Sequence, residues 1–133
     1  MRRCRGQALV ELALCAPVIL VLALGAVAAV EVVQAQSGLQ AATDAAASAA
    51  VRAPNAATAD ATAQSTFAGV GASYPLLAPA LTITAGDFGR SSTLTADASA
   101  SVDLGAEAMA VLPARLTLHA HAELTVEPWR SRP

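Results

Sequence analysis

From Leu12 to Val30 the chain carries no charged or strongly polar side chain, and from Glu31 onward polar residues return at short intervals. A helix of that apolar run spans roughly 28 Å at ~1.5 Å per residue, close to the ~30 Å hydrocarbon core of a bilayer, so it can cross a membrane once. The helical pattern continues past it. Residues Glu31 to Val51 hold no proline and are dominated by alanine and glutamine, both good helix formers. Val32, Ala35, Leu39, Ala42, Ala46 and Ala49 recur at spacings of three and four, with Gln36, Gln40, Thr43, Asp44 and Ser48 between them, which predicts a packing seam along one helix face. The helix is expected over Gln7–Val51. Arg52-Ala53-Pro54-Asn55 ends it, because proline disfavours helix at the residue before it. Asn55 suits the N-cap of a second, shorter helix over Ala56–Ala68, with Gly69 and Gly71 stopping it and Tyr74-Pro75 and Pro79 in a loop.

The remainder switches to a period of two. Leu81, Ile83 and Ala85 alternate with Thr82 and Thr84. After the turn-rich stretch Gly86 to Ser92, Leu94, Ala96, Ala98, Ala100 and Val102 alternate with Thr95, Asp97, Ser99, Ser101 and Asp103. Last, Leu116, Leu118, Ala120, Ala122, Leu124 and Val126 face one way, and Arg115, Thr117, His119, His121, Glu123, Thr125 and Glu127 the other. Three such strands form a small antiparallel meander whose apolar face the helices cover. Residues Gly105 to Pro113 form a connection, and Trp129 is placed to cap the open end of the core. The fold class is therefore α+β: a long N-terminal transmembrane helix continuing outside the membrane, a short second helix and a small C-terminal antiparallel sheet. The organisation reads as a leader at 1–6, a helix at 7–51 that is transmembrane over about 12–30, and a small extracytoplasmic domain at 52–133.

Composition sharpens this picture in two ways. Hydrophobic residues make up 55% of the 133 positions, but the excess is alanine and aromatics reach only 3%, so the core is thin and the outer domain is expected to be marginally stable alone. Charge sets the topology: Arg2, Arg3 and Arg5 precede the apolar run, so the positive-inside rule places the N-terminus in the cytoplasm and the residues after Val30 outside. All eight basic residues are arginine, and beyond residue 6 the ten acidic side chains outnumber them, which argues against a surface that binds nucleic acid or anionic lipid. Cys4 and Cys15 lie in the leader and the apolar run, so neither can staple the outer domain.

The unusual residue is Glu11, since a carboxylate at the edge of a membrane segment costs on the order of 3 kcal/mol and usually has a partner or a role. Three processing schemes compete here. A secretory signal would use Ala26-Val27-Ala28, a match to A-x-A that is cheap in an alanine-rich chain, and the apolar stretch exceeds the usual ~7–15 residue signal core. A lipoprotein signal would use Leu12-Ala13-Leu14-Cys15, with a bulky leucine before the cysteine and almost no apolar core ahead of it. The third scheme cuts after Gly6, leaving Gln7 as the new N-terminus and Glu11 as the fifth residue of the mature chain. That string, Gly-Gln-Ala-Leu-Val-Glu-Leu-Ala-Leu followed by Ala16-Pro17, resembles the class III leader of type IV pilins, in particular the TadE-like minor pilins of the tight-adherence (Flp) system. The resemblance implies a prepilin peptidase cutting between Gly6 and Gln7, and pairing of Glu11 with the free N-terminal amine of a subunit already in the filament. It also implies other pilin subunits and the pilus assembly platform as partners. The residues themselves agree: Gly6 suits a protease that takes extended backbone, and a buried carboxylate is tolerable beside an ammonium group. Glu11 snorkelling at the interface beside Arg5 is the simpler alternative. Pro17 favours a kink in the span, and Gly25 offers a spot for close helix approach.

Little else carries chemistry. His119 and His121 share one side of the last strand with Glu123, an arrangement that can bind metal but has no further cysteine or histidine to complete a site, so a solvated strand face is expected. There is no G-x-S-x-G elbow, P-loop or dinucleotide fingerprint. No catalytic residue, cofactor or metal is expected, and an enzyme is not. The expected function is a structural or assembly subunit of a type IV pilus; the alternative is a small extracellular binding module, either secreted or held by an uncut anchor.

Overall fold

The computed structural model describes residues 3–89, 91–105 and 115–126. The chain forms helix α1 (Arg3–Arg52), helix α2 (Ala56–Gly71) and strands β1 (Leu77–Ala85), β2 (Thr93–Asp103) and β3 (Arg115–Thr125). The strands make one antiparallel sheet in the order β1-β2-β3, so the α+β architecture with a meander is as the periodicity predicts. β2 and β3 pair without interruption from Thr93↔Thr125 to Asp103↔Arg115. The expected role of Trp129, the connection through Met109 to Leu112 and the end of the last strand at Glu127 lie outside the described residues.

The alternation of the strands becomes a two-sided sheet. Leu94, Ala96, Ala98, Ala100 and Val102 of β2 and Leu118, Ala120 and Ala122 of β3 are buried, while the residues between them line the open face. α1 packs on β2 and β3 and against α2, and α2 reaches β1. The predicted seam is inside: Ala35, Leu39, Ala42 and Ala46 are fully buried. It is also wider than predicted, because Thr43, Ala47, Ala50 and Ala53 are buried beside it. The physical reason is that α1 has two neighbours, a helix and a sheet, and alanine lets both approach. Thr43 is accommodated by donating its hydroxyl to the Leu39 carbonyl one turn back, 2.7 Å away.

Three element boundaries differ from the sequence pattern. α1 begins at Arg3, so Gly6 lies inside the helix and not ahead of it. α2 passes Gly69 and ends at Gly71, three residues beyond the expected Ala68. Its buried stripe Ala59, Ala63, Phe67, Gly71 explains this, since tertiary packing outweighs the poor helix propensity of glycine. At its other end Asn55 caps the helix as predicted, accepting from the Thr58 amide at 2.8 Å. Pro79, expected in a loop, sits inside β1. It is tolerated because the register shifts between Leu77↔Ser101 and Ala80↔Ser99, a bulge that also holds Ala78 at φ 47° and asks no ladder hydrogen bond of the proline.

The sheet's two edge strands are tied to the helices by glutamines. Gln36 and Gln40 of α1 donate to the backbone carbonyls of His119 (3.0 Å) and His121 (3.1 Å) on β3, and Gln64 of α2 donates to the Leu81 carbonyl on β1 (3.0 Å). Four residues apart on a helix and two apart on a strand cover nearly the same distance, so a Gln-x-x-x-Gln pair matches the outward carbonyls of an edge. These bonds occupy part of an edge that would otherwise invite pairing with another chain.

Gly38 has a tertiary reason as well. It is buried in α1, and a Cβ there would land inside the Tyr74 ring, which lies on the helix at this point. Gly38→Ala is therefore expected to lower the thermal midpoint in detergent micelles. Overpacking of about 1–3 kcal/mol exceeds the gain of up to about 1 kcal/mol from helix propensity. In a Tyr74→Ala background the same alanine should be neutral or stabilising; an equal loss in both backgrounds would refute the role given to the ring.

Candidate functional site

The N-terminal half of α1 is the feature that the rest of the fold does not absorb. Leu9, Val10, Leu12, Leu14, Val18, Ile19, Leu20 and Leu22 are all more than half exposed, with no element among the described residues packed over them. A contiguous apolar surface of this length is far beyond what a soluble monomer exposes and belongs against lipid or partner helices. α1 is long and apolar enough to cross a membrane, and within the run from Leu12 to Val30 only Ala28 is buried.

The candidate assembly residues stand at the start of this bare stretch. Gly6, Gln7, Glu11 and Pro17 are all exposed on α1. Gln7 and Glu11 are four residues apart, so they share one face of the helix. A chain beginning at Gln7 would thus carry its amine one turn from its own Glu11 carboxylate, a spacing equally suited to pairing with a neighbouring helix in register. Gly6 is the fourth residue of α1. It lies in the first turn of the helix, where ends fray, and glycine costs about 1 kcal/mol in a helix interior, so this turn opens at little cost. Nothing stands within 4 Å of where a Cβ would lie at Gly6 or at Gly25. α1 continues as helix through Pro17, the position marked for a kink.

The open face of the sheet holds the remaining polar candidates. His121 Nδ1 lies 2.7 Å from Asp97 Oδ1, its cross-strand neighbour, with both side chains more than half exposed. An exposed pair of this kind is worth little, typically below about 1 kcal/mol. His119 stands opposite Ser99, and Glu123 opposite Thr95. The strand separates these groups along its length, and no cluster of three metal-binding side chains forms among the described residues. The glutamine ties and the Gly38–Tyr74 contact are the functional features of the fold that periodicity did not single out. The i, i+4 spacing of Gln36 and Gln40 beside the seam was their only trace.

The architecture, among the described residues, is one N-terminal apolar helix, a membrane-anchor candidate, rooted in a small α+β domain, which fits a single-pass membrane protein. Residues 6–48 match the family model described as TadE-like protein, consistent with a TadE-like protein of the tight-adherence system. The match begins at the glycine and takes in Glu11, the apolar run and the buried seam, and leaves α2 and the sheet outside it. No curated protein and no solved structure matches the chain.

Proposed function

We propose that this chain is a structural subunit of a tight-adherence pilus, a TadE-like minor pilin, and not an enzyme. The carrying observation is the family match over residues 6–48, which starts at the proposed cleavage glycine and contains the bare apolar helix. In this reading α1 is inserted with its N-terminus in the cytoplasm, as the arginines before the run favour. A prepilin peptidase opens the first helical turn and cuts between Gly6 and Gln7. The new amine and Glu11 then become the polar handle by which α1 enters a bundle of like helices at the assembly platform. The exposed, alanine- and leucine-rich surface of α1 is suited to such packing, and Gly25 gives a place for close approach.

The competing secretory scheme cuts near Ala28, a residue 3% exposed and already part of the domain core. Intact mass of the membrane-extracted protein separates the schemes. The expected product begins at Gln7; a product beginning near Ala29, or an uncut chain, counts against the pilin reading.

A further inference from the structure

The domain core extends into the apolar run itself. Ala28 is buried in the core although it lies within the apolar run, so the packed domain reaches down onto the segment assigned to lipid. The glutamine ties fix how far. Because Gln36 bonds to His119 and Gln40 to His121, α1 and β3 run side by side in the same direction. Arg115 is four strand residues before His119, about 13 Å lower, which corresponds to roughly nine helical residues and brings it level with Val27. Asp103 pairs with Arg115 and shares that level. Leu77 pairs with Ser101, itself opposite Thr117, and so stands about 6 Å higher, near the level of Val32.

The two ends of the domain differ accordingly. Among the described residues, the large apolar side chains exposed outside α1 are Leu77, 42% exposed and toward the lower end, and Tyr74, which lies on α1 at Gly38, between the levels of Gln36 and Gln40. The far end of the sheet shows Gly86, Asp87, Ser91, Thr93 and Thr125. A headgroup layer is about 5–7 Å deep on each side of the hydrocarbon core. If the core ends at Val27, Leu77 falls within that layer and Arg115 at its base, where a long cationic side chain can reach phosphates.

We infer that the domain is seated on the phospholipid headgroups of the leaflet from which α1 emerges, with Leu77 as an apolar foot and Arg115 as a phosphate contact. On the face of α1 that carries the domain, the lipid-exposed part then ends at Val27, while Val30 and Val33 stay exposed on the other side of the helix. This rests on the reading of α1 as a membrane span. The test uses the full chain in vesicles of phosphatidylcholine and phosphatidylglycerol, with single nitroxide labels at native Cys15 (Cys4→Ser), at Leu77→Cys and at Thr84→Cys (both with Cys4→Ser and Cys15→Ser). Collision with oxygen, which partitions into lipid, is compared with collision with a water-soluble nickel chelate. Cys15 is expected to be oxygen-accessible and chelate-protected. Leu77 should show intermediate oxygen access and several-fold less chelate access than Thr84 at the far end of β1. A Leu77 label as chelate-accessible as Thr84, or shielded from both reagents as a protein contact would make it, with Cys15 in lipid, overturns the seating alone. A chelate-accessible Cys15 overturns the membrane span and the seating with it.

Discussion

Glu11→Ala is expected to leave cleavage after Gly6 intact and to remove the protein from assembled pili. On the proposed reading the cut depends on the glycine and on a turn that opens easily, whereas incorporation depends on an ion pair formed in a low-dielectric bundle. Deleting one partner of a buried pair leaves the other charge uncompensated at a cost of about 3–5 kcal/mol, at least two orders of magnitude in an association constant. Immunoblots of sheared pili against membranes should therefore show the variant confined to the membrane, with a mass that begins at Gln7. Glu11→Asp, which keeps the charge on a shorter stem, should assemble partially. Glu31→Ala provides the control, because that carboxylate is exposed beyond the run and plays no part in the handle. Normal assembly of Glu11→Ala would leave the carboxylate with only an interfacial, snorkelling role.

The second large effect is expected at Leu39. It is 0% exposed and one of the few large side chains in a core built mainly of alanine. Leu39→Ala removes about 2–5 kcal/mol, from a total that for small domains is only about 5–15 kcal/mol. With the backbone held apart by sheet and helix, the cavity has little scope to collapse. Limited proteolysis of the detergent-solubilised protein should show residues after the span becoming protease-sensitive, with a markedly lower thermal midpoint. Leu20→Ala is the matched control: Leu20 is 61% exposed on the bare helix, so the domain should melt as in the wild type. Equal destabilisation by both changes would mean that the span and the domain form one cooperative unit.

These two predictions come from different levels of information. The role proposed for Glu11 comes from the sequence, because a lone carboxylate beside an apolar run stands out without any knowledge of packing. The strands were equally legible, since alternation with a period of two identifies both the element and its buried face, and the register of β2 on β3 keeps that face continuous. The seam from Val32 to Ala49 gave the right face of α1 but not its width. Alanine matches too many registers for its spacing to reveal that the helix is packed on two sides.

The misplaced boundaries share one cause. Gly69 and Pro79 are local breakers, and local rules end an element at them. In the fold, Phe67 and Gly71 extend the buried stripe of α2, and a bulge relieves Pro79 of its missing donor. Gly38 illustrates the reverse: in sequence it is a weak point in a helix, and in the structure its missing side chain is the space that Tyr74 occupies, thirty-six residues further along.

What the sequence determined by itself was the order of elements, the anchor-like run and the inward faces, all of which are fixed by near neighbours along the chain; the roles proposed for Gly6, Gln7 and Glu11 were read from the same neighbours. Only the tertiary structure decided how these parts sit together. The glutamines of α1 and α2 hold the sheet edges, α1 is shared between the apolar span and the domain core, and the foot of the domain lies level with the end of the bare helix. Those relations depend on contacts between residues some twenty to ninety positions apart, such as Gln36 with His119. Periodicity reports which way a side chain points, and carries no information about what it meets there.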